Sequence, residues 1–174
     1  MATLDVKIYN NDTIERLAET VLEYTGFDIN SKIDIVQIAN FLGLNVYEKI
    51  LENTSGYIKI EDKNRNIYIN SLDSNKRKRF TIAHEIGHYL LHRALIEHNC
   101  DTLYRNTNSL NRDMIEIQAN RCAAALLMPR AQVQKYYTEL SNATYYEKVA
   151  RMAEYFNVSA QAMDVRLLSL GLSK

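Results

Sequence analysis

The chain has one proline, Pro129, and two cysteines, Cys100 and Cys122, and its 21 Lys plus Arg are cancelled by 21 Asp plus Glu. Each shortage excludes something. Two cysteines so far apart supply neither a disulfide framework nor a C-x-x-C pair, which points to a reducing, cytoplasmic setting. The balanced charge provides no global field to draw in nucleic acid or an acidic membrane, so neither is expected as a direct partner. No stretch approaches the roughly 18 apolar residues of a membrane span. The start, Met1-Ala2-Thr3-Leu4-Asp5-Val6-Lys7, lacks a basic run leading into an apolar one, so no secretion signal is expected. Repeats and low-complexity segments are missing as well. What remains is 47% apolar and 24% charged over 174 residues, enough to bury the core of one soluble domain without crosslinks. One domain over 1–174 is expected, its helices after about 131 packed on the core.

The hydrophobic period divides the chain. Helical spacing predicts a first helix over 14–24, capped by Asp12 or Thr13 and ended by Gly26. A second follows over 33–42, with Asn30 or Ser31 as cap and Gly43 as stop. Residues 45–51, 56–60 and 66–70 then alternate and are rich in Ile, Tyr and Val, the signature of short strands. With a turn at Asp62-Lys63-Asn64-Arg65 they read as a three-stranded antiparallel sheet. Further helices are expected over 75–95 (capped by Asp73 or Ser74), 113–127, 131–140, 145–156 and 160–170. The predicted class is therefore α+β, with helices around one small sheet.

The most informative residues are His84-Glu85-Ile86-Gly87-His88, which spell H-E-x-x-H in an apolar helical run. Four residues advance a helix by about 400°, so His84 and His88 lie on one face, a turn apart, where both imidazoles reach one zinc ion. Glu85 lies beside them and can take a proton from an attacking water without filling a ligand position. Gly87, having no side chain, is expected to leave room for a substrate. A pair of satisfied core histidines is the bland alternative, but it requires no acid between them.

A catalytic zinc takes three protein ligands. A metzincin would place the third histidine at position 94, which is Ala94. His92 continues the i, i+4 stripe, but three ligands on one straight helix are too spread along its axis to converge. His98 requires the chain to fold back. Glu116, on the following helix, is the best candidate, against the alternative of an ordinary solvated acid. Ala119 and Ala123 share its face and allow a close helix approach. Asn120, one turn on, can accept a hydrogen bond from the far nitrogen of a ligand histidine and so fix its ring. Histidine and carboxylate donors also accept manganese or iron, but one zinc per chain is the expected cofactor.

The segment from Arg79-Phe80-Thr81-Ile82-Ala83 through the H-E-x-x-H to Tyr89-Leu90-Leu91-His92 resembles the core of the ImmA/IrrE metallopeptidases. So does Glu116-Ile117-Gln118-Ala119-Asn120, followed by small residues and Leu126-Leu127-Met128-Pro129. The ending, from Phe156-Asn157-Val158-Ser159 to Leu170-Gly171-Leu172, is similar to that family's C-terminal helices. The resemblance implies a zincin-like fold of the gluzincin type, with His84, His88 and Glu116 binding the metal and Glu85 catalytic. Cys122 stands where the pattern usually has phenylalanine. The resemblance further implies an endopeptidase that cleaves a helix-turn-helix repressor, often one encoded beside it on a phage or mobile element.

Other expectations remain open at this stage. Residues 66–70 lead into the metal helix and could be an exposed edge that pairs with an extended substrate, or an ordinary interior strand. The polar stretch 97–112 could form a cleft rim. Tyr89, Tyr104 and Tyr136 are candidates for stabilising an oxyanion. The segment from Val149 to Leu167 has the cadence of a helix-turn-helix, though Arg166 is the one base on its second helix. The rival function is therefore a non-proteolytic, zinc-containing regulator that binds a repressor or DNA through these helices.

Overall fold

Helix ends are set by short polar side chains, not always those nearest the apolar pattern. In the computed structural model, which describes residues 7–28, 31–61, 64–97 and 109–172, the first helix, α1 (Asn11–Tyr24), begins earlier than expected. Asn10, not Asp12 or Thr13, accepts from the Thr13 amide at 2.9 Å, and Asp12 falls in the first turn near the positive end of the helix dipole. The second helix, α2 (Ile35–Phe41), is capped by Asp34, whose carboxylate accepts from the Val36 and Gln37 amides at 3.1 Å each. Ser31 is therefore not its cap, and Asn30 lies outside the described residues. The stops are as expected: Gly26 and Gly43 adopt φ of 69° and 72°. Each lets the next amide reach back into the last turn, Phe27 to Leu22 at 3.1 Å and Leu44 to Ala39 at 2.9 Å.

Three strands follow: β1 (Asn45–Lys49), β2 (Gly56–Glu61) and β3 (Asn64–Asn70). They form one sheet, but not a wholly antiparallel one. The spatial order is β1-β3-β2, with β2 antiparallel and β1 parallel to β3. Alternation identifies faces; it carries no information on partner or direction. The link between β1 and β2 crosses the end of β3, where the Asn70 side chain donates to the Leu51 and Thr54 carbonyls at 3.0 and 3.3 Å. Strand β3, which buries Ile67 and Ile69, therefore lies in the middle and is not an exposed edge. Asn64 and Arg65 belong to it rather than to the turn, and Asp62 and Lys63 lie outside the described residues.

Among the described residues, β2 is the strand nearest the metal helix with no strand on its outer side. Asn70 donates to the Ser55 carbonyl at 2.8 Å, and Gly56 stands opposite Ile69. By the antiparallel alternation, Gly56, Ile58 and Ile60 then turn their backbone groups away from β3. On the sheet's outer face Tyr47, Tyr68 and Tyr57 stack across the strands, with ring centroids 5.6 and 5.1 Å apart, so these tyrosines serve packing.

Behind the sheet run α3 (Asn75–Glu97) and α4 (Ser109–Leu127). Ser74 caps α3 by accepting from the Arg77 amide at 3.3 Å. Ile82 and Ile86, off the histidine stripe, are buried in the core, as their spacing requires. The remaining helices are α5 (Arg130–Glu139), α6 (Tyr145–Tyr155) and α7 (Ala160–Ser169), making seven among the described residues. A turn at Asn157, with φ of 52°, joins α6 to α7. This hairpin packs into the same core through Met152, Met163 and Leu167, all fully buried. Arg166 is buried too: its Nε donates to the Met128 carbonyl at 3.0 Å, and its guanidinium forms a forked pair with Glu15 of α1. The base expected to face DNA thus lies inside the fold. Among the described residues no helix is long and apolar enough to cross a membrane. Residues 98–108, including His98 and Tyr104, lie outside the described residues.

Candidate metal centre

A helix that carries H-E-x-x-H needs a second helix close alongside to complete a metal site. Close approach is what small residues permit. A Cβ added to Gly87 would lie 2.9 Å from the Ala119 carbonyl oxygen and 3.2 Å from the Cys122 Cβ. The space beside Gly87 is therefore filled by the α4 backbone and is not left for a substrate. Gly87→Ala is expected to cost about 1–3 kcal/mol by overpacking and to push Glu116 away from the histidines. A lower denaturation midpoint together with weaker metal binding would be the signature. An unchanged midpoint and affinity would show that the crossing tolerates a methyl group.

The crossing brings three donors from two elements together. His84 Nε2 lies 2.9 Å from His88 Nε2 and 3.2 Å from Glu116 Oε2, and His88 Nε2 lies 3.4 Å from Glu116 Oε1. Donor atoms around a four-coordinate ion with bonds near 2.0–2.1 Å stand roughly 3.3 Å apart, so this triangle has the right size. Among the described residues His84, His88 and Glu116 are the group that could hold a metal ion. Asn120 also stands where the helical spacing places it, its Oδ1 2.9 Å from His84 Nδ1. With Nδ1–H donating there, the Nε2 lone pair of His84 points into the triangle.

The electrostatics follow from this proximity. The Glu116 carboxyl is held well below the usual range, first by its hydrogen bond with His84 and then by that with His88, against some desolvation. Burial pulls the His84 pKa down, but the Glu116 hydrogen bond, the Glu85 and Glu116 charges and the Asn120 contact outweigh it, and the net shift is upward. Glu85 is 7% exposed, and burial raises its pKa; the two histidines and the Ile58 amide, which approaches the carboxylate from the open edge of β2, oppose that rise. A raised carboxyl pKa beside a metal triangle suits a group that must both take up and release a proton.

Sequence reasoning missed two further residues. The α3 backbone leaves helical geometry at His92, with φ −128° and ψ 25°. His92, one turn on from His88, meets it Nδ1 to Nδ1 at 3.3 Å. Its Nε2 meets Gln118 Oε1 at 3.2 Å. Burial pushes the His92 pKa down to about 4, so this ring is neutral near pH 7. The signal lay in the run of histidines at i, i+4, i+8 and in a glutamine two positions after Glu116, but the straight-helix assumption hid it. Of the tyrosine candidates, Tyr136 stacks on Tyr155 at 4.4 Å in the C-terminal helices, while Tyr89 lies beneath the guanidinium groups of Arg65 and Arg93. Cys122 is buried, and desolvation, then the Glu15 charge, pushes its thiol up to about 12; it faces the core rather than the triangle.

Residues 39–168 match the family model described as the IrrE N-terminal-like domain of peptidases. Metallopeptidase ImmA of Bacillus subtilis (strain 168) is 24% identical over 167 residues, spanning 95% of this chain and 90% of that protein. The uncharacterized immunity region protein 2 of Bacillus phage phi105 is 27% identical over 124 residues, spanning 71% of this chain and 70% of that protein. Among solved structures, a Mycobacterium tuberculosis transcriptional regulator superposes with a TM-score of 0.61 at 15% identity over 91% of this chain. That overlap spans 47% of the regulator's chain, about half its length, and the likeness concerns fold alone.

Proposed function

The chain belongs to the IrrE N-terminal-like family of metallo-endopeptidases, and from that premise we propose that it is a single-domain zinc endopeptidase acting on a helix-turn-helix repressor. His84, His88 and Glu116 hold the ion, Glu85 is the general base, and Asn120 orients His84. The observation that carries this reading is the convergence of two imidazole nitrogens and one carboxylate from separate helices within 4.8 Å of one another. Two nitrogens and an oxygen, with a fourth position open, form the donor set of a hydrolytic zinc site.

A bound zinc ion supplies Lewis acidity, which polarises the scissile carbonyl and makes water a stronger acid. The chain's own residues do the rest. Glu85 takes the proton of the attacking water and, being buried and raised in pKa, can deliver it to the departing amine. The Asn120 hydrogen bond keeps His84 in one tautomer and one orientation. The open edge of β2 runs beside this machinery, with the Ile58 amide facing Glu85. An extended substrate pairing with that edge would have its backbone held in register while its side chains stay free to vary. This assigns to β2 the docking role that the sequence suggested for 66–70.

The repressor assignment rests on the family resemblance and on the likeness to a phage immunity region protein. It predicts that purified protein with zinc cuts the helix-turn-helix repressor encoded beside it, and that Glu85→Gln does not. An intact repressor after prolonged incubation, with Glu85→Gln indistinguishable from wild type in cells, would sink the assignment. A repressor that is bound but uncut by wild type, and equally bound by Glu85→Gln, would indicate sequestration instead. The DNA-binding alternative loses its basis because Arg166 is buried against Glu15. No direct nucleic-acid partner is proposed.

A further inference from the structure

His88 and His84 face the same metal triangle but have different outer partners. His84 meets an amide oxygen directly. His88 meets a second imidazole, which in turn meets an amide oxygen on α4. All three members of this chain are buried: His88 is 6% exposed, His92 5% and Gln118 0%. In such a place each ring nitrogen must find a partner, and a neutral imidazole carries only one N–H.

That single proton fixes the direction of the whole chain. If His88 Nε2 is to present a lone pair to the triangle, its hydrogen must sit on Nδ1. The atom 3.3 Å away, His92 Nδ1, must then accept. His92 carries its own hydrogen on Nε2, and the atom 3.2 Å beyond, Gln118 Oε1, is an acceptor. Run in the opposite direction, with Gln118 donating, the same contacts would put the His88 hydrogen on Nε2 and close that nitrogen to a metal. The 2.9 Å approach of His84 Nε2 to His88 Nε2 also requires that at least one of the two lack a hydrogen. His92 stands one helical turn on from His88, so the two rings are neighbours on one face of α3.

We propose that His92 and Gln118 are positioning residues, a two-step relay that locks His88 in its metal-accepting tautomer. The proposal rests on the reading of His84, His88 and Glu116 as the metal site, and it places His92 outside the ligand set. Losing such an outer-shell partner weakens metal binding by roughly 10–100-fold.

The test measures zinc affinity by chelator competition, and histidine tautomers by long-range nitrogen–proton NMR of the metal-free, ¹⁵N-histidine-labelled protein. Wild type is expected to show His88 with its hydrogen on Nδ1. His92→Phe, which keeps a planar ring but has no nitrogen to accept, should bind zinc about 10–100-fold more weakly, and Gln118→Met should leave His88 as a mixture of tautomers with a smaller loss of affinity. Wild-type affinity in a folded His92→Phe protein, or a wild-type His88 protonated on Nε2, would overturn the relay. If His92→Phe fails to fold, the wild-type spectrum and Gln118→Met still decide. His88→Ala separates the two levels of inference. If it abolishes zinc binding while His92→Phe is silent, the relay alone fails; if it binds zinc normally, the metal-site reading fails first.

Discussion

Replacing Glu85 with Gln will leave the metal in place and lower peptide hydrolysis by about 10²–10⁴-fold, the range supplied by a positioned general base. The substitution preserves shape and hydrogen-bonding length but replaces a basic carboxylate by an amide too weakly basic to take up the proton. Glu85 is not among the three converging donors, so metal content should be unaffected. It is also 7% exposed, and neutralising a carboxyl that burial already destabilises in its charged form should, if anything, stabilise the metal-free fold. The prediction therefore pairs a lost activity with an intact metal site and a melting temperature that does not fall. Measurements of kcat on a peptide substrate, metal content by mass spectrometry and thermal unfolding check all three. A loss of activity below tenfold would remove Glu85 from the proton path.

Replacing Glu116 with Ala should cost more than activity. On the proposed assignment it removes a ligand rather than a ligand's partner, so zinc affinity should fall well beyond the roughly 10–100-fold typical of an outer-shell change, and hydrolysis should drop to background. A pH signature in metal-free protein comes with it. The Glu116 carboxyl pKa is depressed in the fold, principally by its His84 hydrogen bond. Its contribution to stability is therefore present above the unfolded carboxyl value and disappears as pH falls through the folded one. The His84 pKa is raised. Its contribution is complete below the unfolded imidazole value and is lost as pH rises through the folded one. The two overlap between about pH 4.3 and 6.5, and there the destabilisation by Glu116→Ala should be greatest. The side chain is 43% exposed, so solvent screening keeps the effect modest. Metal binding must displace the His84 proton, so wild-type affinity should climb as pH rises through the His84 pKa. Chelator-treated melts and zinc titrations across pH test both halves. An affinity for zinc that Glu116→Ala leaves untouched would reassign the third ligand.

The parts of this site that could be read from sequence are those a regular helix dictates. The spacing of His84 and His88, and of Glu116 and Asn120, translates into shared faces because 3.6 residues make a turn whatever the tertiary context. The burial of Ile82 and Ile86 followed from the same rule. What sequence left hidden was set by departures from regularity or by contacts between elements. In sequence His92 is weighed only as a third ligand, whereas its contact is with the far nitrogen of His88. Gln118 has no distinction in sequence until α4 is laid against α3. Gly87 looked like an opening because its occupant, the Ala119 carbonyl, comes from a different helix. In the sheet, alternation marked 66–70 as a strand, but the parallel pairing of β1 depends on a link that passes over the end of β3. The caps went to Asn10 and Asp34 because several polar residues stood within reach, and only the local backbone chose among them.

The buried fork between Arg166 and Glu15 has a further consequence. It fastens the last helix to the first, and through the Met128 carbonyl it also grips the exit from α4. Deleting α7 would take from Glu15 its forked partner and leave it only the longer approach of Arg130 Nε at 3.9 Å, and removing one member of a largely buried ion pair is destabilising. The shortened chain would then slacken where α4 leaves the core, well away from the cut itself. The C-terminal helix is thus a structural tie-rod, and trimming it to obtain a minimal core would loosen the frame that carries Glu116.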